Sequence, residues 1–202
     1  MNELDWAQKY RPKTFDEVIL SIEMRRKLNR IVNQSGGMSL LFWGRPGCGK
    51  TSVAKLINKD NTVFINCSTN NSIDTIRWIE SDFATRTLTG QRRLLLLDEA
   101  DNLSADAQAA IRGVSEALSG SNDFVLTAND PNKLTEAVRS RFLPVEFNLE
   151  LEETRLLVRN RLREIASMEG FLSVDNSVYE RVTKFYPDLR RMTKALQFEL
   201  TE

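Results

Sequence analysis

Gly44-Arg45-Pro46-Gly47-Cys48-Gly49-Lys50-Thr51 decides how this chain folds, because of what stands on either side of it. The apolar run Leu40 to Trp43 before it reads as a buried strand, and a helical pattern opens behind it. A strand that turns through glycines into a helix leaves backbone N–H groups aimed at one spot, and the helix dipole adds positive charge there. Glycines remove the side chains that would keep an anion away from those donors. The stretch therefore predicts a phosphate-binding loop continuing into Ser52, with Lys50 reaching the β- and γ-phosphates of ATP or ADP and the Thr51 hydroxyl ligating Mg²⁺.

Further along, Leu94-Leu95-Leu96-Leu97-Asp98-Glu99-Ala100-Asp101 supplies what such a loop needs beside it. Four leucines make a strand buried on both faces, and its C-terminal end is where open α/β sheets hold ligands. Asp98 is expected near the metal and Glu99 beside the attacking water, an arrangement suited to hydrolysis rather than to binding alone. Phe124-Val125-Leu126-Thr127-Ala128-Asn129-Asp130 is another apolar strand ending in an amide. Asn129 is expected to meet the water or the γ-phosphate from the side opposite Lys50.

Short apolar runs alternating with helical periods predict an α/β fold with a parallel five-stranded sheet flanked by helices. Strands are placed at 40–43, 63–66, 94–98, 124–127 and 145–147. Ser104 reads as an N-cap, with Ile111, Val114 and Leu118 as the buried stripe of its helix and Gln108, Arg112 and Glu116 on a free face. After Phe147 three helical patterns follow, near 151–168, 174–185 and 188–200, which predicts a small three-helix lid. The domains are thus expected at 1–147 for the nucleotide-binding α/β part and 148–202 for the lid.

Composition restricts the chemistry. The 202 residues include 28 basic and 28 acidic side chains, so nucleic-acid contact must come from a local patch rather than an overall field. With no histidine and two cysteines, Cys48 and Cys67, in no metal-ligand spacing, a zinc site and a histidine-based triad are both disfavoured. Met1-Asn2-Glu3-Leu4-Asp5 lacks the regions of a signal peptide, and no apolar run is long enough to span a bilayer. A cytoplasmic setting, or its nuclear or phage-infected equivalent, is expected, neither secreted nor membrane-bound.

These features, in this order, resemble the AAA+ family, and other residues narrow the resemblance to clamp-loader small subunits of the replication factor C or phage type. Lys9-Tyr10-Arg11-Pro12 with Thr14-Phe15-Asp16-Glu17-Val18 looks like the N-terminal box that seats the adenine, which implies Tyr10, Arg11, Pro12, Val18 and Ile19 as nucleotide contacts. Ser140-Arg141 resembles the serine-arginine motif whose arginine reaches a neighbouring subunit's γ-phosphate. Pro187-Asp188-Leu189-Arg190-Arg191 resembles the lid motif whose arginine senses ATP in its own subunit, which implies Leu189 and Arg190. Asn66 matches a polar position linking DNA contact to the catalytic glutamate, and Arg77 and Arg112 match positions that approach template phosphates. Phe142 and Gly113 depart from the family, which commonly has cysteine and arginine there. The family also carries a third, helical collar domain, and this chain ends where the collar would begin, as a truncated piece or a naturally short relative.

The resemblance implies a motor subunit with other AAA+ subunits, a sliding clamp and primer-template DNA as partners, ATP closing the subunit interfaces and hydrolysis releasing clamp and DNA. In physical terms, a guanidinium supplied in trans by Arg141 would stabilise transition-state charge. Phosphate contacts add affinity without base specificity, so one subunit alone is expected to bind DNA poorly. Two other readings stay open: a different AAA+ remodeller, such as a helicase loader, initiator or branch-migration motor, and a structural subunit that binds ATP without turning it over.

Overall fold

The computed structural model describes residues 5–32, 37–84 and 92–201. Residues 1–4, read above for a leader, lie outside them. Five strands, β1 (Ser39–Trp43), β2 (Thr62–Asn66), β3 (Arg93–Asp98), β4 (Asn122–Ala128) and β5 (Leu143–Glu146), form one sheet in the order β2-β3-β4-β1-β5. Every pairing is parallel. Parallel strands need crossovers that cover both faces, and the side chains sort accordingly. Leu95 and Leu97 enter one core with Ile76, Ile79 and Phe83 of α4 (Ile73–Ala84) and Ile111 and Val114 of α5 (Ala105–Leu118). Leu94 and Leu96 enter the opposite core with Leu28 of α2 (Ile22–Val32), Val53 of α3 (Lys50–Ile57) and Phe42.

The expected strands are all present, with ends displaced by a residue or two. The last begins at Leu143, earlier than expected, and the Phe147 N–H still reaches the Trp43 carbonyl at 2.7 Å beyond its end. Ser104 caps α5 through its hydroxyl, as its position predicted. Gln108 does not lie on the free face assigned to it. It is only 5% exposed, its amide donating to the carbonyls of Leu103 and Lys133 at 3.2 Å and accepting from the Thr135 N–H at 2.7 Å. Arg112 and Glu116 are exposed and pair with each other.

Beyond the sheet come α7 (Glu152–Met168), α8 (Asn176–Val182) with a 3₁₀ turn at Thr183–Phe185, and α9 (Leu189–Thr201). Asp175 caps α8 and so starts it two residues later than its apolar pattern suggested. Val158, Leu162, Ile165, Val182, Met192 and Leu196 make a third core, and Trp6 of α1 (Trp6–Lys9) is buried in it. This docking of the N-terminal turn onto the lid helices is fixed by the Trp6 N–H on Gln197 Oε1 at 2.9 Å and by Asp5 with Lys194 at 2.9 Å. No helix among the described residues is long and apolar enough to cross a membrane.

Candidate functional site

The strand order determines the site. β4 lies between β1, which leads into the glycine loop, and β3, which ends in Asp98. Three neighbouring strands therefore deliver their C-terminal ends to one edge of the sheet. A cavity of about 510 Å³ opens there. Its walls are the loop from Pro46 to Ser52, the ends of β3 and β4, the segment from Asp5 to Ile19, and lid residues of α7 and α9.

Gly47 and Gly49 have φ of +73° and +97°, a backbone that L side chains rarely adopt, and this turns the chain sharply into α3 at Lys50. At Gly47 any Cβ would overlap the Asp188 carboxylate at the start of the lid's last helix, and the Leu189 N–H donates to the Gly47 carbonyl at 3.2 Å. Loop and lid are thus in direct contact.

Lys50 is 7% exposed, and its ammonium donates to the Gly44 and Arg45 carbonyls at 2.7 and 2.9 Å and to Asn129 Oδ1 at 3.0 Å. The sequence reading puts Asn129 on the side of the γ-phosphate opposite Lys50. Instead the two are hydrogen-bonded partners, because β4 is the immediate neighbour of β1 and its end lies beside the loop. On the other flank the Thr51 and Thr127 hydroxyls both donate to Asp98 Oδ1, at 2.6 and 2.7 Å. Thr127 Oγ1 also accepts the Glu99 N–H at 3.0 Å. Glu99 has φ +57°, the only positive φ at a non-glycine among the described residues. Such backbone costs on the order of 1–3 kcal/mol and gathers at functional sites. Glu99 with this backbone is part of the cavity wall.

Tyr10, Arg11, Pro12, Val18 and Ile19 all line the cavity, as do Leu189 and Arg190. Arg11 Nε donates to Ser52 Oγ at 3.3 Å, which ties the N-terminal segment to the loop. Tyr10 and Lys9 both donate to Glu169 Oε1 at 2.6 Å, which ties it to the end of α7. Burial pushes the Glu169 carboxyl up, but the hydrogen bonds from Lys9 and Tyr10 outweigh it and hold the group below the usual carboxylate range. Gly44 and Arg45 belong to the loop without forming cavity wall, and Arg45 pairs with Glu150 at 3.3 Å.

Four predicted residues lie away from the cavity. Arg141, in α6 (Glu136–Arg141), donates from Nη2 to the Ser115 carbonyl at 3.1 Å, and its Nε is buried without a partner among the described residues. Arg77 is exposed and pairs with Asp74 at 3.1 Å, while Arg112 pairs with Glu116 at 3.2 Å. Asn66, at the end of β2, accepts from the Ser68 N–H at 2.8 Å and hydroxyl at 2.5 Å. Conversely, Thr127, Trp6 and Arg161 stand on the cavity wall with no pattern in the sequence to mark them. Thr127 reads as an ordinary β-branched strand residue, and Arg161 as one of several arginines on an amphipathic helix.

A parallel sheet with a glycine loop gripping toward a lysine, and an acidic pair one strand away, defines a nucleotide-binding protein of the P-loop class. Residues 40–149 match the family model "ATPase family associated with various cellular activities (AAA)", and the chain belongs to that family. It is 35% identical over 208 residues to "Replication factor C small subunit 2" of Pyrobaculum islandicum, covering 98% of this chain and 64% of that protein. "Replication factor C small subunit" of Thermofilum pendens is also 35% identical over 208 residues, with 98% of this chain and 63% of that protein covered. The chain therefore spans somewhat under two thirds of these relatives. Among solved structures, the Thermotoga maritima RuvB Holliday junction branch migration motor superposes with a TM-score of 0.73 at 19% identity, covering 92% of this chain and 63% of that one. A DNA polymerase III gamma subunit-related protein from Thermotoga maritima gives 0.58 at 18% identity, over 84% and 69%. At such identities these two speak for the fold.

Proposed function

We propose that this chain is the ATP-hydrolysing module of a sliding-clamp loader's small subunit, acting on primer-template DNA in the compartment where that DNA is copied. The observation that carries the proposal is the pairing of Lys50 with Asn129 and of Asp98 with Thr51 and Thr127 at one sheet edge, in a chain that aligns over 98% of its length with replication factor C small subunits. Residues 1–147 are assigned to the nucleotide-binding domain and 148–202 to the lid, a division supported by the third core, which the three lid helices build and which Trp6 enters from the N-terminal turn.

In this reading the loop N–H groups and Lys50 hold the β- and γ-phosphates, and the adenine lies toward Tyr10, Pro12, Val18 and Ile19. Thr51 Oγ1 and Asp98 Oδ1, two hard oxygen donors 2.6 Å apart, fit a Mg²⁺ ion between them and the phosphates. When bound there, Mg²⁺ would supply positive charge to offset the negative charge of the phosphate oxygens. Glu99 orients and polarises the attacking water, Asn129 meets the γ-phosphate, and Arg190 approaches it from the lid.

Arg141 serves the neighbouring subunit's site. Its absence from the wall of its own cavity and its unpaired Nε support that assignment. Activity then depends on an oligomer. Arg77 and Arg112 meet DNA phosphates, since their exposed intrahelical pairs are worth little and are readily exchanged. Asn66 would have to leave Ser68 to reach Glu99, as expected of a switch.

The test is ATP turnover with and without sliding clamp and primed DNA. Joint stimulation supports clamp loading, whereas indifference to the clamp with stimulation by branched DNA favours another remodeller. Lys50→Ala should abolish binding or turnover, and Glu99→Gln should keep ATP bound and stop turnover; persistent hydrolysis in Glu99→Gln removes the role given to Glu99. Mixing Arg141→Ala with Lys50→Ala chains should restore partial activity, and no complementation at any ratio removes the trans assignment.

A further inference from the structure

Asp101 is the last residue of the Asp98-Glu99-Ala100-Asp101 run, and the site described above leaves it without a task. It lies in the 3₁₀ turn Ala100–Asn102 that follows β3, where the chain folds back over the end of β4. Beyond Ala128 the backbone leaves the sheet, so the N–H groups of Asn129 and Asp130 lose their strand partners. Both donate instead to one oxygen of Asp101, Oδ2, at 3.2 Å each. The other oxygen, Oδ1, is buried and without a hydrogen-bond partner among the described residues. A buried carboxylate oxygen left unpaired is costly, so its retention calls for a compensating use of the group.

The Asn129 side chain is held on its far side by Lys50 Nζ. Among the described residues Asn129 is thus held by two hydrogen bonds, Lys50 on its side-chain Oδ1 and Asp101 on its backbone N–H. One oxygen accepting two convergent N–H groups fixes the direction in which the chain leaves β4, and at 3.2 Å each both lie at the long end of the hydrogen-bond range.

We infer that Asp101 is a positioning residue that aims Asn129 at the terminal phosphate, so that discrimination between a nucleoside triphosphate and a diphosphate depends on it. The inference rests on the role given to Asn129 above. It requires that removing Asp101 weaken triphosphate binding selectively, through Asn129 and not through general loosening of the site.

The experiment is calorimetric titration of the chain with Mg²⁺ and either ATPγS or ADP, for the unmodified protein and for Asp101→Ala, Asp101→Asn, Asn129→Ala and the Asp101→Ala/Asn129→Ala double variant. The ATPγS-to-ADP affinity ratio should fall about tenfold in Asp101→Ala, the loss of roughly one hydrogen bond. ADP affinity should be unchanged. Asp101→Asn keeps an oxygen for the two N–H groups and should recover most of the ratio, and the double variant should match Asn129→Ala alone. An unchanged ratio in Asp101→Ala, an equal fall for both nucleotides, or additive losses in the double variant would overturn the inference. If the unmodified protein binds neither nucleotide, the reading of the whole site fails instead.

Discussion

Thr127 donates its hydroxyl to Asp98 at 2.7 Å and accepts the Glu99 N–H at 3.0 Å, so one side chain of β4 holds both members of the acidic pair that ends β3. Thr127→Val keeps the shape and removes both bonds. Loss of such a supporting partner typically costs 10–100-fold in metal affinity or activity. The variant should need more Mg²⁺ for half-maximal ATP turnover and turn over roughly tenfold more slowly, with Thr127→Ser recovering most of both. Mg²⁺ titration of the ATPase rate is the measurement.

Gln108 joins three separate segments through its buried amide. Gln108→Leu strands the Leu103 and Lys133 carbonyls and the Thr135 N–H. The expected loss is about 1–3 kcal/mol of stability, read from the urea midpoint at an unchanged slope. A midpoint equal to the unmodified protein's would mean water replaces the amide in full.

Gly47→Ala should be harmful for two separable reasons, the left-handed backbone and the overlap with Asp188. Combining it with Asp188→Gly relieves only the second. Nucleotide affinity should drop in Gly47→Ala and recover in part in the double variant, as followed by calorimetry.

Glu169 should give the chain an acid-sensitive strap. Its folded pKa lies below its unfolded value, so it adds stability above the ordinary carboxylate range that is lost as pH falls through the folded value. The thermal midpoints of the unmodified protein and Glu169→Gln should differ at neutral pH and converge as pH drops below 4.5. A constant gap across that window would remove Glu169 from the account.

Cys67 acts at the opposite end of the scale. Burial first, and then the nearby charges of Asp98, Asp101 and Glu99, push its thiol from 9.0 to about 12. The folded value exceeds the unfolded one, so its contribution is complete below pH 9.0 and is lost as pH rises toward about 12. Cys67→Ala should show a shallower alkaline decline in stability. In the native protein neither Cys67 nor Cys48, both buried, should react with a thiol reagent near pH 8 until the chain unfolds.

What the sequence revealed and what it hid follow from the range of each signal. The glycine loop, the leucine strand and the lid periodicity are local, and each lies where its pattern put it. The free face read for Gln108 does not hold because steps of four residues along a helix each overrun a full turn by about 40°. Gln108 is therefore rotated by about 80° from Glu116, far enough to leave the exposed face for the core. The Tyr10–Glu169 and Trp6–Gln197 contacts join residues 159 and 191 positions apart, and no spacing along the chain announces them. The resemblance assigns Arg141, Arg77 and Arg112 to partners outside the chain, and one chain's fold leaves Arg77 and Arg112 exposed and Arg141 half-buried against Ser115.

The place of β4 between β1 and β3 also sets a distance. Adjacent strands lie about 4.8 Å apart, so inserting one separates the glycine-loop strand from the acidic strand by roughly 10 Å. Over the end of β4 the chain after β1 and the end of β3 lean toward each other until Thr51 Oγ1 and Asp98 Oδ1 meet at 2.6 Å, and a sheet with β1 directly beside β3 would have no strand end between them to carry Asn129. Here that strand end is set in place by backbone pairing. Any attempt to graft this acidic pair onto another scaffold must carry the intervening strand along as its spacer.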